Sequence, residues 1–90
     1  MLLGPAVGAR AVRLMTARTG AALPFPQLTD REREILRYVA QGLDNTTVAR
    51  RLAVSPKTVR NHLSSVFVKL QVKDRAQAIV RARDEGLDRL

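Results

Sequence analysis

Residues 44–72 read DNTTVARRLAVSPKTVRNHLSSVFVKLQV, a run with the signals of two helices separated by a short turn. Asp44 is a suitable N-cap for a short helix over Asn45 to Leu52, because its carboxylate can accept a hydrogen bond from an unpaired backbone N–H. Ser55 caps a longer helix over residues 56–70, whose first residue is a proline and needs no partner for a backbone N–H. Two helices joined by so short a turn are typical of the helix-turn-helix motif, which we predict here.

The longer helix has one apolar side and one polar side. Its apolar residues recur at the spacing of a single helix face and are Val59, Leu63, Val66, Phe67 and Leu70. We expect this side to be buried in a core. The opposite side then faces solvent or a partner.

The polar side carries groups that match the edges of DNA bases. Arg60 fits the paired acceptors of guanine, Asn61 fits the donor and acceptor of adenine, and Ser64 can serve either base. Lys57 and Thr58 lie beside the helix N-terminus, which suits contact with phosphate oxygens. We predict base reading for the first three residues and phosphate contact for the other two.

Two further helices flank this unit. Thr29 begins a helix over Asp30 to Gln41 through a capping box with Glu32. Asp74 caps a last helix that ends near Gly86. The residues of the last helix predicted to face inward are Ala76, Ile79 and Val80. Because no segment alternates at a period of two residues, the predicted fold class is all-α, a four-helix helix-turn-helix domain.

The composition limits the possible functions. The 90 residues contain 16 Lys and Arg against 8 Asp and Glu, a net charge of +8. The chain has no Cys and one His, which excludes a disulfide framework and a thiolate zinc site. We find no paired nucleophile and base, so we expect no enzyme activity, no metal and no cofactor. The longest apolar stretch is too short to span a membrane, so we expect a cytoplasmic protein without a membrane partner.

Positive charge is concentrated over residues 45–73, which contain no carboxylate. Such a surface attracts duplex DNA, because cations that neutralise phosphates release bound counterions. The cations of this stretch are Arg50, Arg51, Lys57, Arg60, Lys69 and Lys73. Double-stranded DNA is therefore the expected partner.

Three consecutive runs resemble a known family. They are LTDREREILRYVAQGL (28–43), the stretch 44–72 quoted above, and KDRAQAIVRA (73–82). Together they are similar to the C-terminal DNA-binding domain of LuxR/NarL/GerE-type transcription regulators. The resemblance implies a sequence-specific regulator that binds duplex DNA as a homodimer, with recognition helix 56–70 in the major groove and the last helix as the dimer contact.

The resemblance also implies roles for individual residues. The positions that match base reading are Arg60, Asn61 and Ser64. Those at or beside phosphate contacts are Lys57, Thr58, His62 and Lys69, and further candidates on the short helix are Asn45, Thr46 and Arg50. The expected dimer interface is an outer stripe of the last helix, formed by Arg75, Ala78, Ala82 and Glu85. For His62 a place at the edge of the core is an open alternative.

Residues 1–27 read as a separate segment, so we place the domain at residues 28–90. The segment has no carboxylate, and a helix is expected from Pro5 to Arg18, followed by a proline-containing linker. A disordered tail and a targeting or membrane-surface segment are the alternatives. GPAVGARAVRLMTAR (4–18) resembles the linker helix that follows the receiver domain in NarL-like response regulators. The resemblance implies the effector domain of a two-component response regulator. Its implied partners are an upstream receiver domain, which 90 residues cannot also hold, a sensor kinase and RNA polymerase.

Two other functions are compatible with parts of this pattern. A sigma-factor-like module that recognises a promoter element shares the helical opening and the turn, but would not need the last helix. A protein-interaction or membrane-surface module would instead use the basic N-terminal helix, with the helical core as a scaffold.

Overall fold

Four side-chain caps determine where the helices begin. In the computed structural model, Thr29 Oγ1 accepts a hydrogen bond from the N–H of Glu32 at 3.1 Å, and Glu32 Oε1 accepts one from the N–H of Thr29 at 2.8 Å. The predicted capping box is therefore confirmed. Asp44, Ser55 and Asp74 cap the other three helices in the same way, each accepting from the N–H three residues on. The bond from the Thr47 N–H also lowers the pKa of the Asp44 carboxyl.

The structure describes residues 23–90, and within this range it contains helices and turns but no strand. The helices are α1 (Asp30–Ala40), α2 (Asn45–Leu52), α3 (Pro56–Leu70) and α4 (Arg75–Asp84), followed by a short 3-10 turn at Leu87–Arg89. The predicted all-α fold with four helices is confirmed. The bounds of α2 and α3 are those predicted, and α1 ends one residue before its predicted end. The predicted N-terminal linker helix lies outside the described residues.

Helix α1 is the central element, because it contributes to both apolar clusters of the domain. Leu36 and Ala40 pack into a cluster with α4, the end of α3 and the 3-10 turn. Ile35 and Val39 pack into a second cluster with α2 and the first half of α3. All four of these α1 side chains are completely buried. Helix α1 thereby fixes the position of α3 relative to α2 and α4.

Helix α4 turns a different side inward from the one predicted. Ala78 and Ala82 are completely buried in the cluster with α1. Val80 is 58% exposed, and Ala76 is also exposed, so the inward placement of these two residues is wrong. Ile79 is half-buried against the second cluster. The physical reason is that two alanines allow the backbones of α1 and α4 to approach closely. The packing gained by this approach outweighs the burial that Val80 would gain on the inward side.

The residues just before residue 28, the predicted start of the domain, also pack against the helices. Phe25 is 3% exposed and belongs to the cluster between α1 and α4. The guanidinium of Arg33, itself buried, donates to the carbonyl oxygens of Pro24, Phe25 and Leu28 at 2.9–3.1 Å. One arginine of α1 thus holds the preceding segment against the helix bundle.

A buried carboxylate connects α1 to the second half of α3. Besides its capping bond, Glu32 accepts hydrogen bonds from Ser65 Oγ at 2.9 Å and from Lys69 Nζ at 2.8 Å. Burial raises the pKa of the Glu32 carboxyl, but the hydrogen bonds from Lys69, Thr29 and Ser65 outweigh burial and lower the pKa from 4.5 to about 2. Folding therefore favours the charged form of this carboxyl.

This network predicts that the domain loses stability in acid. Because the pKa of Glu32 is lower in the folded than in the unfolded chain, its contribution is complete above about pH 5 and disappears as the pH falls towards 2. The contribution is on the order of 3 kcal/mol. Glu32→Gln should lower the free energy of unfolding at pH 7 and flatten its decline between pH 5 and 2, as measured by urea unfolding.

Glu34→Gln is the matched control. Glu34 forms a partly exposed pair with Arg31 at 3.6 Å, so its loss should change stability by less than about 0.5 kcal/mol. Equal pH dependence in the wild type and in Glu32→Gln would contradict the assignment.

Candidate nucleic-acid interface

The predicted base-reading residues come together on the exposed side of α3. Lys57, Arg60, Asn61 and Ser64 are all exposed, while the apolar residues Val59, Leu63, Val66 and Leu70 on the opposite side are buried. We call the four exposed residues the polar stripe of α3. Within one helix they offer a primary ammonium group, a guanidinium, a carboxamide and a hydroxyl to one partner surface.

The start of α3 is fixed by the Ser55 cap. Ser55 Oγ accepts from the N–H of Thr58 at 3.1 Å and lies 3.0 Å from Thr58 Oγ1. Pro56 occupies the first turn, so one of the helix N–H groups that would need a partner is absent. Lys57, in the same turn, is exposed next to the positive end of the helix dipole. This end of α3 is suited to a phosphate group.

The turn between α2 and α3 is set by the backbone of Ala53. This residue ends α2 with φ 58° and ψ 42°, the left-handed region that non-glycine residues seldom adopt. The N–H of Val54 then returns to the carbonyl of Ala49 at 3.0 Å. Three residues, 53–55, therefore suffice to redirect the chain from α2 into α3.

The candidate phosphate contacts on α2 fall into two groups. Thr46 and Arg50 are exposed, as a contact with DNA requires. Asn45 is half-buried, and its Oδ1 accepts from Nη1 of Arg75. Nη2 of Arg75 donates to the carbonyl of Leu43 at 2.8 Å. Arg75 therefore joins the start of α4 to the start of α2.

Lys69 is engaged within the domain. Its Nζ lies 2.8 Å from Glu32 Oε1, so the structure places this ammonium group in an ion pair with α1. His62 is half-buried, which is consistent with either of its predicted positions.

The predicted dimer stripe is not a continuous surface. Ala78 and Ala82 lie in the core, and Arg75 is bonded to Leu43 and Asn45. Of the four predicted residues only Glu85 is freely exposed. The placement of Ala78 and Ala82 on the outside of α4 is therefore wrong, for the packing reason given above.

Three residues make contacts that the sequence does not predict. Phe25 and Arg33 have no predicted role, and Glu32 is predicted only as the capping-box partner of Thr29. One signal was available for Glu32, because a capping carboxylate has a second oxygen that must find a partner when it is buried. Nothing in the local sequence indicates the partners of Arg33, since these are backbone carbonyls.

The half-buried Tyr38 ring of α1 contacts two cations. The guanidinium carbons of Arg37 and Arg51 lie 4.7 Å and 5.6 Å from the centre of the Tyr38 ring. Such contacts hold arginine side chains over the ring while their charge stays available. The positive charge of Arg51 on α2 is thereby continued by that of Arg37 on α1.

Two classes of site find no support among the described residues. Nowhere in residues 23–90 do three or more His, Cys, Asp or Glu side chains come close enough together to hold a metal ion. None of the described helices is long and apolar enough to cross a membrane.

Two helices joined by a three-residue turn, with a basic and hydrogen-bonding side on the second, define a helix-turn-helix domain of the DNA-binding class. Residues 26–82 match the model of the family described as bacterial regulatory proteins, luxR family. The chain belongs to this family, and the expected resemblance is confirmed.

Individual relatives agree with this assignment. The chain is 44% identical over 59 residues to the transcriptional regulatory protein DesR of Bacillus subtilis strain 168, which covers 66% of this chain and 30% of DesR. It is 43% identical over 61 residues to the nitrate/nitrite response regulator protein NarL of Escherichia coli K12, covering 68% of this chain and 28% of NarL. It is 40% identical over 63 residues to the response regulator protein VraR of Staphylococcus aureus strain Mu3, covering 70% of this chain and 30% of VraR. The aligned part is thus less than a third of each relative.

The ion pair of Lys69 leads to a test of its role. Lys69→Met leaves the buried Glu32 carboxylate without its cation, and should lower the free energy of unfolding by about 1–2 kcal/mol. We expect less than for a fully buried pair, because the Lys69 side chain is 36% exposed. Thermal and urea unfolding measure the change. Lys73→Met, at an exposed lysine just beyond α3, should leave stability nearly unchanged. If both variants were equally stable, Lys69 would have no structural role.

Proposed function

We propose that this domain binds double-stranded DNA sequence-specifically and regulates transcription, with α3 in the major groove. The observation that carries the proposal is the polar stripe of α3, which is exposed on one side of a helix whose other side is anchored in the core. An α-helix fits the major groove, where every base pair presents a distinct pattern of donors and acceptors.

The residues divide by the part of DNA that they contact. Arg60, Asn61 and Ser64 read base edges. Phosphate contacts come from the start of α3 and from α2, through Lys57, Thr58, Thr46 and Arg50, with His62 at the margin. We leave Lys69 and Asn45 out of this set, because both side chains have partners within the domain. Lys69 donates to Glu32, and Asn45 accepts from Arg75.

The relatives named response regulators support a wider assignment. We infer that this domain is the effector part of a two-component response regulator, with a receiver domain and a sensor kinase as upstream partners and RNA polymerase as a downstream partner. It acts in the cytoplasm, performs no chemical step and needs no cofactor. The presence of α4, packed against α1, favours this function over a sigma-factor-like module, which would not need that helix. The alternative that uses the basic N-terminal helix depends on residues outside the described range.

The experiment that tests DNA recognition is selection from a pool of random duplexes at physiological salt, followed by sequencing. Specific binding predicts an enriched motif. Weak, unenriched and steeply salt-dependent binding would mean that the basic charge provides only general affinity for nucleic acid.

Two variants separate base reading from phosphate contact on the selected operator. Arg60→Ala should cost about 1–3 kcal/mol of binding free energy at its cognate base and relax specificity there. Lys57→Ala should weaken binding to all duplexes alike and reduce the slope of log affinity against log salt by about one unit. Titrations on operator and random duplexes at several salt concentrations measure both effects. Equal losses on both duplexes for Arg60→Ala would exclude base reading, and an unchanged slope for Lys57→Ala would exclude phosphate contact.

We further propose that two copies bind together through α4, along a surface that differs from the predicted stripe. Val72, Ala76, Gln77 and Val80 line a shallow groove of about 450 Å³ on the outside of α4. Val80 is 58% exposed and contributes an apolar side chain to this groove, whose lining also includes Gln71 and Arg81. A two-fold axis that passes beside Val80 would bring the Val80 side chains of the two copies together. A self-complementary interface requires such a contact between identical surfaces.

Val80→Asp tests this dimer surface. The introduced carboxylates would lie close together and unpaired in the interface, so the variant should bind a single half-site and lose cooperative binding to the two-fold operator. Sizing of the complexes by sedimentation measures the number of copies per duplex. Leu90→Asp, at an exposed leucine outside α4, is the control and should keep the two-copy complex. A two-copy complex with Val80→Asp would contradict the proposed surface.

A further inference from the structure

The most exposed large apolar side chain of the described domain lies on α3. Val68 is 76% exposed, compared with 58% for Val80 and 43% for Leu90. It belongs to neither apolar cluster. A β-branched residue also lowers the intrinsic helix propensity slightly. Folding therefore gives no reason for a valine at this position.

Helix geometry places Val68 in line with the polar stripe. It follows Lys57 by eleven residues, so the two side chains point in directions that differ by only about 20° around the axis. It follows Ser64 by four residues, which is about 6 Å along the axis and close to the spacing of two base pairs. A helix that brings Arg60, Asn61 and Ser64 to base edges therefore directs Val68 to the same DNA surface.

The residue after Val68 helps to identify the DNA group that Val68 contacts. Lys69 is the next residue, and its ammonium group is directed to Glu32. The outward position of this last turn of α3 thus carries a branched hydrocarbon where a phosphate contact would call for a cation. The one apolar group on base edges in the major groove is the C5-methyl of thymine.

We propose that Val68 is a specificity-determining residue that contacts the C5-methyl of a thymine in each half-site. The inference rests on the proposed function, since it requires α3 in the major groove. The base read by Val68 lies beyond those read by Arg60, Asn61 and Ser64, towards the C-terminal end of α3.

Replacement of single thymines by deoxyuridine tests the contact, because it removes the methyl group and keeps the base pair. In the operator selected by the full chain, each thymine is replaced in turn and affinity is measured for the wild type and for Val68→Ala. The wild type should lose about fourfold at one thymine per half-site, the factor expected for one methyl-sized group. Val68→Ala should bind the thymine and deoxyuridine duplexes equally well. Since Val68 is exposed and alanine is the better helix former, this variant should be at least as stable as the wild type.

Arg60→Ala is the matched control, because it should weaken binding overall and still lose about fourfold on the same replacement. Two results would overturn the inference while leaving the proposed function intact: a selected operator without an invariant thymine in each half-site, or the same deoxyuridine effect in the wild type and in Val68→Ala. Failure of the wild type to select any operator would instead reject the proposed function together with the inference.

Discussion

The position of the polar stripe of α3 depends on the hydrogen bonds that the buried Glu32 carboxylate accepts. It accepts from the Thr29 N–H at the start of α1, and from Ser65 and Lys69 on α3. A buried charge is tolerated only when its hydrogen-bonding capacity is filled, and here donors from two helices fill it. Together with the apolar sides of α1, this network sets the position of α3 before any partner is bound. The polar stripe is therefore presented by a supported helix.

The positive charge of the chain has two separate uses. Several arginines donate hydrogen bonds to backbone carbonyls within the domain. Arg33 donates to the segment before α1, and Arg75 donates to the loop before α2. Arg81 donates to the last carbonyl of α3, and Arg83 donates to the last carbonyl of α1. Arginine suits this role because its guanidinium donates in several fixed directions. Others, among them Arg50, Lys57, Arg60 and Lys73, are exposed on or beside the helix-turn-helix unit. Net charge alone does not distinguish these two groups, but contact with backbone carbonyls does.

Local chemistry made much of this fold predictable. Cap residues such as Asp44 and Ser55 act on N–H groups three residues away, so the sequence contains both partners, and the starts of α2 and α3 follow from it. The long apolar side of α3 defined its exposed side in the same way. The side of α4 that faces inward was not predictable from apolar size, because Ala78 and Ala82 are buried for close approach of two backbones. Phe25, Arg33 and the Glu32–Lys69 pair depend on contacts that only the tertiary structure creates.

The most direct test of the central claim, that α3 lies in the major groove, is methylation interference on the selected operator. Methylation of guanine N7 modifies the major groove, and methylation of adenine N3 modifies the minor groove. We predict that guanine N7 methylation within each half-site blocks binding, while adenine N3 methylation within the same half-site has little effect. Interference confined to adenine N3 would place the protein in the minor groove and contradict the account.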